Sequence, residues 1–289
     1  MCGIFGAFSS ERNIDKGILN SLVEFSKERG RDSSGFVYHS GNKYQINKAD
    51  FSIDKLLKRL HVNETGFAFG HSRLITNGLT DNQPLSGSDL VLIHNGIVIN
   101  TDELWKEIDK KPSLSIDTEV VYELILKLLN EGKDLNFINQ YLLDNVKGTL
   151  SISFIVPKMG KLVLLSNCGS LFYGQKDNVT YFASEKYSLN HNGVSNINQL
   201  NDTFCVFDVP TAETRLETDI LQRDEELIRE LFYDAQQEKI LKFDETPDFI
   251  RCSKCILPET MPFIKFDSEG VCNYCHNYTP RNKPKPIEE

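Results

Sequence analysis

The sequence predicts an α+β fold in which helices pack outside antiparallel sheets, followed by a separate cysteine-rich segment. Up to about Pro210, short β-rich runs alternate with helical segments, and the helices come in blocks rather than between successive strands. From Phe249 onward the composition becomes cysteine-rich, and residues 280–289 hold prolines among charges. We therefore expect a first domain over residues 2–210, a largely helical linker over 211–248, a zinc knuckle with four cysteines over 249–279 and a tether or tail over 280–289.

The strands of the first domain are predicted from apolar runs, most of which are bounded by Gly, Asn, Asp or Ser. The predicted strands are Gly3–Phe8, Gly35–Tyr38, Gly66–His71, Leu90–Asn95, Gly148–Val156, Lys161–Ser166, Leu171–Gly174, Val179–Ala183 and Thr203–Val209. No fixed-period repeat accompanies them, so we expect one mixed domain instead of a repeat array.

The helices are predicted from apolar residues spaced three and four positions apart. This spacing is clear in Ile18–Lys27 and Thr118–Asn130, and a third helix is expected over Leu135–Asn145. Beyond the first domain, Thr211–Leu216 has a polar, strand-like pattern and Asp219–Lys242 a helical one. The second of these segments predicts a linker helix.

Composition and charge exclude several classes of protein. The 289 residues are 40% hydrophobic and 25% charged, which is typical of a folded globular protein. The net charge of −9 has the wrong sign for general attraction to nucleic acid or anionic lipid. The apolar runs fall far short of the roughly 20 residues that cross a bilayer, and Met1–Ser10 lacks the features of a secretory signal. We therefore predict a cytoplasmic protein that binds neither nucleic acid nor membrane.

The second residue, Cys2, is a candidate nucleophile. If Met1 is removed, Cys2 carries both a thiol and the α-amino group. An α-amino group, with a reference pKa of about 7.7–8.0, can accept a thiol proton near neutral pH. A cysteine at this position is also consistent with an incidental small residue, so other residues must decide between the two interpretations.

Five separated sequence elements favour the interpretation of Cys2 as a catalytic nucleophile. They are Cys2-Gly3-Ile4, Arg29–Gly35 (RGRDSSG), Gly70–Thr76 (GHSRLIT), His94–Asn100 (HNGIVIN) and Asp117–Val120 (DTEV). In sequence, order and spacing they resemble the class II glutamine amidotransferases, the N-terminal-nucleophile glutaminase domains found in asparagine synthetase and glucosamine-6-phosphate synthase. Ser184-Glu185 resembles a late element of the same family. The resemblance runs from Cys2 to about Val209 and implies a four-layer αββα sandwich.

The resemblance also implies the catalytic roles. Cys2 would attack the glutamine carboxamide with its own amino group as general base. The Asn95 side-chain amide and the Gly96 backbone N–H would form the oxyanion hole. Arg73 would hold the substrate α-carboxylate, Asp117 would bind the α-ammonium, and Thr76 would add a contact. No metal is expected in this site.

Arg29 and Asp32 are expected to support the loop around the nucleophile. Glu28 stands where the family often has a histidine, so the details of this support differ here.

Other interpretations of the same residues stay open at this point. Arg73 could be a surface arginine, Asp117 the N-cap of the helix that begins at Thr118, and Asn95-Gly96 a hairpin turn. For the whole protein, the alternatives are a non-catalytic regulatory or interaction subunit with this fold, and an N-terminal-cysteine amidase acting on another amide. Arg73 and Asp117 favour a free amino acid as substrate over that second alternative.

The carboxyl-terminal cysteines predict a metal site. Cys252-x2-Cys255 and Cys272-x2-Cys275 have the two-knuckle spacing that brings four thiolates to one tetrahedral centre. Structural zinc fits best, an iron–sulfur cluster is the lesser alternative, and free or redox-active cysteines are the third. His276 is surplus to a filled site. Cys168 and Cys205 are expected to be small buried residues, and His71 and His94 to be structural.

Residues 251–275 also resemble the start of the N-acetyl sugar amidotransferases, in which this segment precedes an ATP-pyrophosphatase domain. The nucleotide loop SGGxDS of that family is absent from the sequence. The resemblance implies a synthetase partner, fused downstream or separate, that alone would bind ATP and pass ammonia to an acceptor such as a sugar. Basic and acidic residues are nearly balanced from Phe249 to Glu289, which disfavours nucleic-acid binding. Neither the acceptor nor the oligomeric state can be predicted from the sequence.

Overall fold

A computed structural model describes residues 2–60, 62, 64–75, 81–216 and 249–278. The chain divides into two compact units, Met1–Ile228 and Arg229–Glu289. The predicted linker helix and the predicted tether over 280–289 lie outside the described residues. The proposed domain boundaries therefore stay predictions.

The first unit contains two sheets. In chain order its strands are β1 Gly3–Phe8, β2 Ser33–Ser40, β3 Lys43–Ala49, β4 Phe67–Arg73, β5 Leu85–Ser86, β6 Val91–Val98, β7 Gly148–Val156, β8 Lys161–Ser166, β9 Leu171–Lys176, β10 Val179–Ala183, β11 Ser195–Leu200, β12 Thr203–Asp208 and β13 Glu213–Leu216. The larger sheet has the order β11-β9-β10-β1-β4-β2-β3-β13 and the smaller one the order β12-β8-β7-β6-β5. Neighbouring strands are antiparallel, except that β13 pairs with β3 in parallel.

Six helices accompany these sheets in the described part of the unit. They are α1 Lys16–Lys27, α2 Ile53–Arg59, α3 Thr101–Ile108, α4 Thr118–Asn130, α5 Leu135–Asn145 and α6 Lys186–His191. The Asp15 carboxylate accepts hydrogen bonds from the first-turn N–H groups of α1, and Asp134 does the same for α5. None of the described helices has the length and apolar character that crossing a membrane requires.

The elements with strong apolar patterns were predicted correctly. The bounds of β1, β7, β8, β10, α4 and α5 agree with the sequence prediction. The strands β3, β5 and β11 and the helices α2, α3 and α6 were not predicted. In β3, Tyr44 and Ile46 alternate with polar residues, so only a short apolar signal marks the strand.

Three apolar clusters give the order of the layers. One cluster joins α1, α2 and α6 to the outer face of the larger sheet, and another joins α3, α4 and α5 to the outer face of the smaller sheet. The third lies between the sheets, where Ile4 and Phe69 of the larger sheet meet Ile93 and Leu164 of the smaller one. The unit is therefore a mixed α/β sandwich with helices outside both sheets.

Strand alternation determines which functional side chains lie between the sheets. Successive residues of a strand point to opposite faces, so every second residue shares a face. Arg73 lies on the same face of β4 as Phe69, and Asn95 lies on the same face of β6 as Ile93. Phe69 and Ile93 both belong to the apolar cluster between the sheets. The two predicted site residues therefore approach the same layer from opposite sheets.

The second unit is described over residues 249–278, which we call the four-cysteine segment. It contains the short helix α7, Asn273–His276, and two isolated β-bridges, Arg251 with Pro258 and Phe266 with Cys272. With so little regular structure, this segment depends on other means of stabilisation, such as a bound metal.

Candidate active site

Cys2 immediately precedes β1, the strand of the larger sheet that pairs with β4 and β10. Its Sγ lies 3.8 Å from the Leu74 carbonyl oxygen. Burial raises the pKa of the thiol above its usual range, against the opposing effects of the Leu74 carbonyl and the Arg73 and Arg29 charges. A raised pKa favours the protonated thiol, which needs a base before it can act as a nucleophile.

Arg29 and Asp32 contact the nucleophile segment and the loop beside it. The Arg29 Nε donates to the Cys2 carbonyl oxygen at 2.8 Å. The Asp32 Oδ2 accepts from the Ile75 backbone N–H at 2.8 Å, and the Asp32 N–H donates to the Arg73 carbonyl at 3.0 Å. Asp32 thus holds both Arg73 and Ile75. The carbonyl group of Leu74, which lies between them, faces the Cys2 thiol.

Arg73 ends β4 and is only 3% exposed, so the interpretation as a surface arginine is wrong. Burial lowers the pKa of its guanidinium, while the Cys2 thiol and the carboxylates of Asp81, Asp117 and Asp32 act in the opposite direction. The guanidinium thus stays charged in a buried position, where a cation can bind an anionic group strongly. No sequence pattern pointed to Asp81, whose Oδ2 accepts from the Ser115 N–H and hydroxyl, both at 2.6 Å.

Asn95 and Gly96 lie inside β6 and not in a hairpin turn, which corrects that alternative. Their cross-strand partners on β7 are Ser151 and Leu150. Asn95 is buried at the face between the sheets. A Cβ on Gly96 would lie 1.9 Å from the Thr149 carbonyl oxygen, so no side chain fits there. Glycine keeps the β6 and β7 backbones in close approach at this point.

Asp117 occupies the N-cap position of α4, but its side chain does not cap the helix. Its Oδ2 instead accepts from the Val98 backbone N–H at 2.8 Å, which ties the start of α4 to the end of β6. The carboxylate is thereby held next to the strand that carries Asn95 and Gly96. The predicted residue Thr76 lies outside the described residues.

A buried hydrogen-bond network that was not predicted from the sequence connects β6 to its neighbours. The Gln83 Oε1 accepts from the His94 backbone N–H at 2.6 Å, and its Nε2 donates to the Thr118 hydroxyl at 3.0 Å. The His94 Nδ1 lies 3.2 Å from the same hydroxyl. Burial lowers the pKa of His94, so its neutral form is favoured. The network links the loop before β5, the strand β6 and the helix α4.

Glu119 has a comparable role that the sequence did not reveal. Its carboxylate is buried and accepts from the Ser113 and Leu114 backbone N–H groups, at 3.1 and 2.9 Å. Glu119, which belongs to the Asp117–Val120 element, therefore orders the loop before α4.

Comparison with known proteins agrees with this geometry. Residues 71–191 match the family described as Glutamine amidotransferase domain. A glutamine–fructose-6-phosphate aminotransferase of Fusobacterium nucleatum is 30% identical over 198 residues, which cover 64% of this chain and 32% of that protein. The corresponding protein of Thermococcus kodakarensis is 29% identical over 196 residues, with the same coverage. The chain carries a class II glutamine amidotransferase domain.

Solved structures support the same fold for the amidotransferase domain. The glutamine phosphoribosylpyrophosphate amidotransferase of B. subtilis matches with a TM-score of 0.58 and 22% identity, over 72% of this chain and 47% of that one. A structure described as the allosteric regulatory enzyme of purine biosynthesis matches with a TM-score of 0.58 and 20% identity, over 76% of this chain and 50% of that one. The chain spans about a third of the length of the aminotransferases it matches, 32% in both cases.

The four carboxyl-terminal cysteines form a cluster that can hold a metal ion. Their Sγ atoms all lie within 4.8 Å of one another. The Cys255–Cys272 and Cys252–Cys275 sulfur separations are 3.5 and 3.9 Å. A tetrahedral zinc centre with Zn–S bonds of about 2.3 Å requires sulfur atoms about 3.8 Å apart, so the donor set fits.

Backbone N–H groups also favour thiolate at this cluster. Those of Cys272 and Lys254 donate to the Cys252 Sγ at 3.2 and 3.4 Å. The Nε2 of His276 lies 2.7 Å from the Asp267 Oδ2, and this histidine is not a member of the cluster.

The other two predicted buried cysteines differ from expectation. Cys168 is exposed, because it lies beyond the end of β8 at Ser166, and Cys205 on β12 is only partly buried. The Cys168 Sγ lies 3.4 Å from the Ser151 hydroxyl.

Proposed function

We propose that the amidotransferase domain hydrolyses L-glutamine to L-glutamate and ammonia through a γ-glutamyl thioester on Cys2. The observation that carries the proposal is the placement of three groups: Cys2 precedes β1, the buried Arg73 ends the neighbouring strand β4, and the Asp117 carboxylate bonds the end of β6. These groups suit a free amino acid with a reactive side chain. Such a substrate needs a nucleophile for the side chain, a cation for the α-carboxylate and an anion for the α-ammonium.

The reaction begins once Met1 has been removed. The α-amino group of Cys2 takes the thiol proton, and the thiolate attacks the carboxamide carbon. The Asn95 amide and the Gly96 N–H stabilise the oxyanion of the tetrahedral intermediate. Collapse of this intermediate expels ammonia, which takes the proton from the Cys2 ammonium. The same amino group then activates the water that hydrolyses the thioester, and glutamate leaves.

Recognition of free glutamine depends on Arg73 and Asp117. The guanidinium binds the α-carboxylate through a charge-assisted pair of hydrogen bonds, and the Asp117 carboxylate binds the α-ammonium. Thr76 adds a contact to the substrate. A substrate without both charges would forgo the charge-assisted bonds to Arg73 and Asp117, which disfavours amidase activity on other amides.

Arg73→Lys tests this recognition. The ammonium of lysine is a point charge and cannot replace the bidentate fork, so the KM for glutamine should rise about 10-fold to 100-fold, since hydrogen bonds to charged groups contribute about 1.5–3 kcal/mol. The kcat should change much less. Glutamate release is measured against glutamine concentration. Arg31→Lys is the matched control, because Arg31 is 63% exposed and pairs with Glu28. Equal KM values for the two variants would remove Arg73 from the binding site.

The ammonia passes to an ATP-dependent synthetase of the ATP-pyrophosphatase type, fused downstream or supplied as a separate subunit, and from it to an acceptor such as a sugar. The similarity of residues 251–275 to the N-acetyl sugar amidotransferases supports this assignment. The four-cysteine cluster holds structural zinc, and the synthetase alone binds ATP. The chain acts in the cytoplasm, where thiols stay reduced and available to a metal, and needs no nucleic acid or membrane.

The surface of the four-cysteine segment supports docking to a protein. Ile256 and Phe263 are 69% and 89% exposed, although both are large and apolar. Both also have positive φ angles, 65° and 61°, which are rare for bulky residues. Glycine would avoid the steric cost of a positive φ at these two positions. The presence of large, exposed apolar side chains there instead suggests that they serve in binding a partner. We assign this apolar surface to the synthetase contact.

Glutamine labelled at the amide nitrogen tests the partnership. With the synthetase, ATP and acceptor present, the label should enter the product and the slow glutaminase rate of the isolated chain should rise. Phe263→Ser should weaken both effects, and Cys2→Ala should restrict the synthetase to added ammonium. If no candidate synthetase forms a complex or changes the rate, the chain is a free-standing hydrolase or a regulatory subunit.

A further inference from the structure

We propose that Ser184 and Glu185 are positioning residues that hold the backbone of the Cys2–Ile4 segment for catalysis. The inference rests on the proposed glutaminase function and adds two residues to it. Both lie immediately after β10, the neighbour of β1 in the larger sheet. Their contacts reach the nucleophile segment at two points.

The first contact passes through Arg29. The Glu185 Oε1 accepts a hydrogen bond from the Arg29 Nη1, and the Arg29 Nε donates to the Cys2 carbonyl oxygen at 2.8 Å. The Arg29 side chain is 13% exposed and that of Glu185 46% exposed. Because the guanidinium is planar and rigid, an ion pair at Nη1 also fixes the direction of the Nε donor. Glu185 therefore orients the group that binds the Cys2 carbonyl.

The second contact is direct. The Ser184 N–H donates to the Ile4 carbonyl oxygen at 2.9 Å, and the Ser184 hydroxyl accepts from the Ile4 N–H at 2.9 Å. One buried residue thus satisfies both backbone groups of Ile4. The β1–β10 pairing, which includes Phe5 opposite Ala183, is thereby extended by a residue toward the nucleophile.

These two contacts matter because the proposed nucleophile and base belong to one residue. Fixing the backbone on the carboxyl side of Cys2 constrains the positions of both the thiol and the α-amino group. A displacement of about 1 Å at a reacting group can cost about 100-fold in rate. The expected consequence of losing a positioning residue is a lower kcat with substrate binding preserved, since Arg73 and Asp117 are not among its contacts.

Glu185→Gln tests the inference in the full chain. The kcat for glutamine hydrolysis should fall about 10-fold to 100-fold while KM stays within about twofold, because orientation changes and substrate contacts do not. Glu185→Asp should restore part of the kcat. Glu28→Gln is the matched control, because it removes an exposed carboxylate that pairs with Arg31, and it should keep full activity.

A double-mutant cycle separates the effect of the Glu185–Arg29–Cys2 contacts from general destabilisation. Arg29→Lys keeps the charge but cannot bond both Glu185 and the Cys2 carbonyl in the observed geometry, so its effect on kcat should not add to that of Glu185→Gln. Additive effects, an unchanged kcat in Glu185→Gln, or a rise in KM alone would overturn the positioning role. Those results leave the proposed function intact if Cys2→Ala is inactive, whereas an active Cys2→Ala variant contradicts the proposed function itself.

Discussion

Cys2→Ala is expected to lose glutamine hydrolysis by at least about 10⁴-fold, the scale seen when an enzyme loses its covalent nucleophile. The variant keeps the α-amino group and the residues around Arg73, so it should still bind glutamine and stay folded. Glutamate release at saturating glutamine measures the loss, and thermal unfolding with and without glutamine checks the fold and the binding.

Cys168→Ala is the control for Cys2→Ala. Cys168 is an exposed thiol that plays no part in the proposed chemistry, so its removal should leave kcat unchanged. Loss of activity in both variants would indicate general damage to the protein. Full activity in Cys2→Ala would leave the arrangement around Arg73 without its proposed nucleophile and would favour the regulatory interpretation.

Removal of the metal is expected to unfold the four-cysteine segment while much of the glutaminase activity remains. Apparent binding free energies of structural zinc reach about 10–16 kcal/mol in small zinc-dependent units, more than a segment with one four-residue helix can supply by packing. Elemental analysis should find one zinc per chain. Cys255→Ser with Cys272→Ser should abolish it, and protease digestion should then cleave within residues 249–278.

His276→Ala serves as the metal-site control, because His276 pairs with Asp267 and adjoins the cysteines without joining their cluster. It should keep the zinc. A chain ending near Asp244 should contain none, and metal retained in full by that shortened chain would show that the cluster assignment is wrong. Iron with sulfide in place of zinc would instead support the iron–sulfur alternative.

The sequence predicted the parts of the fold and site that depend on local patterns. Long apolar runs determined β1, β7 and α4, because periodic burial is visible in a single segment. The short motifs pointed to Arg73 and Asn95, which occupy the facing sides of two different sheets. The cysteine spacing also predicted a compact four-sulfur cluster.

Interactions between distant segments could not be predicted in this way. Gln83 bonds His94 and Thr118, and nothing in its own neighbourhood indicates either partner. Asp117 precedes a helix, which predicts a cap, yet its carboxylate binds the Val98 N–H on the far side of α3 in the sequence. Asn-Gly usually favours a turn, but here the close approach of β7 requires glycine inside a strand.

The most direct test of the account is the site at which a glutamine-analogue electrophile labels the protein. The nucleophile and the base are proposed to share Cys2, so the active protein must lack Met1 and must carry the label on Cys2. Intact mass and peptide mapping measure both features in one sample. We predict one label per chain, on an amino-terminal Cys2, with loss of activity in proportion to labelling and protection by glutamine. Active protein that retains Met1, or complete inactivation with Cys2 unlabelled, would contradict the central claim.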